Sequence, residues 1–229
     1  IMQKTTLTLL VLSTLFFSIS LCAQSDENPA IWITPEEIAM LPDSGQAWEN
    51  VLAAASRNTN NPDLSNQEDM VNVWVLAKAL VYVRTGHEKY RNEVIQACGK
   101  AIDTELGGRT LALGRELISY VIAANLVGLP ENRDRDFRAW LQRTLTENLS
   151  GRTLQSTHED RPNNWGTHAG ASRIAVALYL NDQQELQRAA QVFKGWLGDH
   201  QSYAGFQYGD LDWQADPEHP VGINPAGST

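Results

Sequence analysis

Eleven consecutive positions of this chain hold two histidines, two asparagines, an arginine, two carboxylates and a tryptophan: His158, Glu159, Asp160, Arg161, Asn163, Asn164, Trp165 and His168. Side-chain amides, an imidazole and a guanidinium are the groups that bind a carboxylate and stabilise negative charge built on it. The segment runs into an apolar stretch at 166–180. Asn164 is placed to cap that helix, with Thr167 and His168 in its first turn. A helix N-terminus carries partial positive charge and unused N–H groups. The grouping can therefore hold a carboxylate and its enolate form. Each residue also has a plain structural reading. Asn163 and Asn164 can serve only to cap and turn, His168 can be a hydrogen-bonded core residue, and Asp160 and Arg161 can form a solvated pair.

A second segment, 198–229, mixes Tyr203, Tyr208 and Trp213 with Asp210, Asp212, His219 and several glycines. That mixture suits a sugar-binding surface, and equally a loop packed on helix ends. Other chemistries lack their motifs. There is no GxSxG elbow, no phosphate-binding loop and no GxGxxG. The spacing of His158 and His168 fits no zinc motif, and HExxH is absent, so neither metal nor cofactor is expected. A glycoside hydrolase needs two placed carboxyl groups. Glu159, Asp160, Asp210 and Asp212 keep that option open.

The elements that must position these groups are almost all helical. Residues 69–83, 110–129 and 166–180 are apolar nearly all round, so each must be covered on most sides. Residues 88–103, 133–149 and 184–197 are amphipathic. Their stripes include Val94, Ala97 and Cys98; Phe137, Trp140, Leu141, Leu145 and Leu149; and Leu186, Ala189, Phe193, Trp196 and Leu197. Buried and amphipathic helices alternate and are joined by short polar turns. The expected fold is all-α, a two-layer array of helical hairpins forming an open solenoid or an α/α toroid. Thr34-Pro35-Glu36-Glu37 has the form of a helix start.

Composition bounds the rest. The 229 residues are 42% apolar and 20% charged, which suits one packed domain. The net charge of −9 argues against general nucleic-acid binding. Residues 1–23 read as a signal peptide, with Lys4 before the apolar run Leu7 to Leu21, too short for a membrane span. The mature domain, 24–229, is then periplasmic or secreted, with acylation of Cys22 the lesser alternative. Cys98 is left as a buried thiol.

The stretch HEDRPNNWGTHAGASRIAVALYL (158–180) resembles the core motif of bacterial alginate-lyase-like proteins, polysaccharide lyases built on an α/α toroid. WITPEEIAMLP (32–42), GRTLALGRELISYVIAANL (108–126), and FKGWLGD with YGDLDWQADPEHPVGINPAG (193–227) resemble the same family. The resemblance implies β-elimination on a uronic-acid polymer. It implies that Asn164 and Arg161, with Asn163, neutralise the substrate carboxylate, that His168 is a base or second neutraliser, and that Tyr208 or Tyr203 is the phenol. Trp165 would stack on a sugar, and His158, Arg109 and Arg115 would contact the polyanion. It also implies a longer chain with more hairpins, so that this sequence is an N-terminal fragment forming an incomplete toroid. Two other readings stay open: a hydrolase acting on uronides, and a glycan-binding module without catalysis.

Overall fold

A computed structural model describes residues 30–207. The signal-peptide reading of 1–23 falls outside them, as do Tyr208, Asp210, Asp212, Trp213 and His219. The described residues form nine helices: α1 (Pro35–Met40), α2 (Gln46–Ala55), α3 (Val71–Thr85), α4 (Glu88–Ala101), α5 (Thr110–Val127), α6 (Glu131–Thr144), α7 (Leu154–Asp160), α8 (Asn164–Leu180) and α9 (Gln183–Trp196). α1 starts as expected, with a capping box between Thr34 and Glu37 and Pro35 at the first turn.

The three apolar helices α3, α5 and α8 form the inner layer, with α5 packed between the other two. The outer helices α4 and α6 return the chain from one inner helix toward the next, α9 follows α8, and α2 precedes α3. This is the two-layer helical-hairpin array of an α/α toroid. α5 is long and apolar enough to cross a membrane, but 72% of it is buried inside the protein, as befits a core helix. The outer helices bury one stripe each. In α6 it is Phe137, Trp140 and Leu141, continued by Leu145 and Leu149. In α4 it is Val94, Ala97, Cys98 and Ala101. Cys98 is 1% exposed, and burial pushes its thiol up to about 12, so it is inert packing.

Two expectations need correction. The connection 150–165 contains helix α7, capped by a reciprocal box between Thr153 and Ser156. And α9 buries Glu185, Ala189, Val192 and Gly195, whereas Phe193 and Leu197 of the expected stripe are exposed. The cause is Arg173 of α8, 1% exposed, whose Nε donates to Glu185 Oε1 at 2.6 Å and draws that side of α9 inward.

Inner helices approach closely where side chains are small. A methyl on Gly114 of α5 would lie 3.0 Å from the Ala169 amide nitrogen and 3.2 Å from the His168 carbonyl carbon. Ser172 Oγ donates to Gly114 O at 2.8 Å and accepts from Ile118 N at 3.1 Å. The N-terminal half of α5 therefore lies against the N-terminal half of α8. Arg109, just before α5, donates to Gln67, just before α3, at 3.0 Å. The three inner helices thus begin at the same end of the layer.

Candidate functional site

The start of α8 is built by its own cap. Asn163 is the N-cap, its Oδ1 accepting from Trp165 N at 3.1 Å, and Asn164 is the first helical residue. The sequence reading had put the cap one residue later. The shift matters, because it frees the Asn164 side chain, which is exposed and has no hydrogen-bond partner among the described residues. Asn164 and His168 are four residues apart, hence on one face, one turn from each other. Asn163 Nδ2 is shielded and has no hydrogen-bond acceptor.

Cations surround this terminus. The Arg161 guanidinium lies 4.4 Å from the Trp165 ring centroid, with Arg109 at 5.9 Å. Trp165 is thus stacked by two arginines. Arg115 of α5 is near enough to His168 to act on its charge. Burial chiefly, and then Arg115, hold the imidazole below its ordinary 6.5. His168 is therefore neutral at pH 7, the form that accepts a proton. Arg115 is 4.0 Å from Glu68 and stays partly exposed.

The structure removes other nominees. His158 is 1% exposed, edge-on to Trp196 at 5.4 Å between centroids, with Nδ1 3.3 Å from Arg173 Nη1. Burial, and then Arg173, push it down to about 3. It cannot touch a polymer and is a core residue. A His158→Ala variant should lose about 2–4 kcal/mol of stability through the cavity left behind. Its KM for substrate should stay the same, and a raised KM with unchanged melting would restore a contact role. Tyr203 donates its hydroxyl to Glu159 O at 2.8 Å and packs edge-on to Phe206 at 5.0 Å. It fastens the loop after α9 to the end of α7 and is not a free phenol. Tyr208 lies outside the described residues.

Of the four carboxylates kept for a hydrolase, Asp210 and Asp212 lie outside the described residues, and Glu159 and Asp160 are already engaged. Glu159 takes Arg188 in a two-pronged pair at 3.0 Å and also Arg173 at 3.0 Å, and these cations hold its carboxyl below the usual range against the opposing effect of burial. Asp160 pairs with Arg152 at 3.0 Å, not with Arg161. Among the described residues, no group of three His, Cys, Asp or Glu side chains converges as a metal site.

Sequence reasoning missed Glu116, beside Arg115 on α5. It is 2% exposed, and neither carboxyl oxygen has a hydrogen-bond partner. One turn on, the Tyr120 hydroxyl is also buried and unpartnered. Burial chiefly, then Asp69, Asp63 and Glu68 against Arg115, raise the Glu116 carboxyl from 4.5 to about 8. The available signal was a lone acid in the apolar run TLALGRELISYV. Between about pH 4.5 and 8 the folded protein holds a proton that the unfolded chain has released. Stability therefore falls as pH rises through that window, by about 1.4 kcal/mol per unit at most. Glu116→Gln, neutral throughout, should flatten the fall in melting temperature between pH 5 and 8. An unchanged slope would place the proton elsewhere.

The family comparison bears on this arrangement. A family model described as alginate lyase matches residues 44–211, most of the chain and the whole of the site just described. The chain belongs to the alginate lyase family. Comparison with curated proteins and with solved structures gave no match. Family membership places the chain among polysaccharide lyases and agrees with the helical fold. Within the alginate lyase family match lie Asn163, Asn164, Trp165, His168, Arg115 and Arg161, as well as Tyr203 and Tyr208.

Proposed function

We propose that this protein cleaves a uronic-acid polymer, alginate or a close relative, by β-elimination. The observation that carries the reading is the pairing of Asn164 and a neutral His168 on one face at the start of α8, flanked by Arg115 and Arg161. In this reaction the C5 proton of a uronate residue is removed, a C4–C5 double bond forms, and the C4–oxygen bond breaks. The electron pair goes to the leaving oxygen, which is then protonated. The proton at C5 becomes acidic only when the adjacent carboxylate is neutralised. The Asn164 amide and the guanidinium groups, aided by the positive end of α8, supply that neutralisation as charge develops.

His168 takes the proton. An imidazole held neutral by burial accepts at pH 7 and needs no further activation. Tyr208 is the phenol that the sequence nominates for the leaving oxygen. Trp165, held by two arginines, offers its ring to a sugar. Arg109, Arg115 and Arg161 put positive charge at this end of an acidic chain, which draws a polyanion to it. Export through the segment 1–23, to the periplasm or beyond, would place the enzyme where such polymers are met.

The test is the ultraviolet absorbance of unsaturated uronate with alginate, glucuronan and hyaluronan in parallel. A rise with one polymer is the expected result and names the substrate. Folded, full-length enzyme giving no rise with any of them would overturn the reading. The acid limb of the pH–rate profile should fall below 6.5. Removing the neighbouring charge in Arg115→Gln should move it upward, toward the ordinary value for histidine. A limb that does not move would take His168 out of the rate-limiting proton transfer.

A further inference from the structure

A cleft of about 360 Å³ lies on another part of the molecule, between the end of α2, the middle of α3 and the first half of α4. Its volume is at the lower end of the range of small-molecule sites, about 300–1,000 Å³. Lys78 forms its floor and is 2% exposed. The ammonium donates to Ala55 O at 2.6 Å, satisfying a carbonyl at the C-terminus of α2, and to Glu93 Oε2 at 2.5 Å. Those two bonds use two of its three N–H groups. Arg57 and Lys89 stand exposed on the walls, and Glu93 is the one acid among the lining residues. Lys100 holds the covering loop through Asn60 Oδ1 at 2.9 Å. The Tyr90 ring has the Lys78 and Lys89 ammoniums at 5.7 and 6.0 Å from its centroid, and both ammoniums also lie beside Glu93.

We propose that this cleft binds an acidic sugar, its carboxylate received by Arg57, Lys78 and Lys89 and its ring placed beside Tyr90. Three cations against one carboxylate make a positive hollow on a chain of net charge −9. The buried ammonium is fixed by two bonds, so binding a carboxylate there costs little ordering. Aromatic, amide and charged groups together are the lining that a polar, ringed, anionic ligand needs, and an apolar peptide would leave them unsatisfied. The choice of a uronate as ligand rests on the function proposed above. A second point of attachment on one polymer chain would raise its local concentration at the start of α8.

The test uses the full chain, ¹⁵N-labelled, with methyl glucuronoside and methyl glucoside. These differ in the carboxylate, and neither carries a 4-linked sugar to eliminate. The glucuronoside should shift the amides of residues 55–60 and 89–96 with at least tenfold tighter binding than the glucoside. Salt should weaken the shifts. Arg57→Ala combined with Lys89→Ala, both exposed changes, should abolish them while sparing the amides of 161–168. Equal binding of both glycosides, no shift at these amides, or a double variant that still binds would each overturn the proposal. Lyase absorbance is measured separately. Shifts without absorbance uphold the cleft and reject the proposed reaction, and absorbance without shifts does the reverse.

Discussion

His168→Ala is expected to lower turnover of the susceptible polymer by about 10²–10⁴-fold, the usual contribution of a positioned acid–base group. Its melting temperature should scarcely change. The side chain is half-buried and makes no hydrogen bond among the described residues, so its removal leaves no buried partner unsatisfied. The loss should fall on kcat more than on KM, because in the proposed reaction the imidazole acts as the proton moves while Asn164 and the arginines hold the substrate. His168→Gln should be as inactive as alanine, since an amide is not a base at neutral pH. Turnover within threefold of wild type in either variant would remove His168 from the mechanism and leave the neutralising groups without a base.

Gly166→Ala should be the most damaging small change in the molecule. Alanine is a better helix former than glycine by about 1 kcal/mol, so propensity alone predicts a gain. Contact predicts the opposite. The added methyl would overlap Arg161 O and lie 3.0 Å from the Trp196 ring. Neither can yield cheaply, since one is backbone and the other is wedged against His158. The Arg161–Asn163 turn must move or the first turn of α8 must unwind, at about 2 kcal/mol or more. Either outcome misplaces Arg161 and the Asn163 cap, so activity should fall with stability. Gly99→Ala is the control, because its methyl meets only Arg133 Nη1 at 3.8 Å. It should hold or raise the melting temperature. A Gly166→Ala protein as stable and active as wild type would mean that the turn at 161–165 does not set the site.

The architecture was legible because helix periodicity and apolar content are properties of the local sequence. The α6 stripe, the inner helices and the capped start of α1 follow from residues a few positions apart. The start of α8 was legible to within one residue, since Asn163 and Asn164 both suit a cap and only backbone geometry chooses between them. What stayed hidden depends on contacts across the chain. His158 looks like a site residue beside Glu159 and Arg161, yet α7 turns it inward against Gly170 and Trp196. Tyr203 looks like a free phenol until Glu159 O is found beside it. The face that α9 buries is set by Arg173, twelve residues before Glu185. A pattern was nonetheless present. Lys78, Glu116 and Arg173 are buried charge-bearing residues within largely apolar helices. Such a residue must find a partner, change its protonation or serve a ligand. In this protein Arg173 and Lys78 found partners, and Glu116 keeps its proton.

The ion pairs around Arg173 have a consequence for the order in which the chain can become native. Arg173 is enclosed by α8, but Glu185 and Arg188 come later, on α9. While the chain is made from its N-terminus, α8 cannot bury Arg173 against its main counter-charge until residue 185 has emerged. Glu159 likewise lacks its two-pronged partner until residue 188. The turn that carries Arg161, Asn163 and Asn164 hangs between these anchors. That end of the inner layer is therefore among the last parts to set, after the α3–α5 wall that it faces.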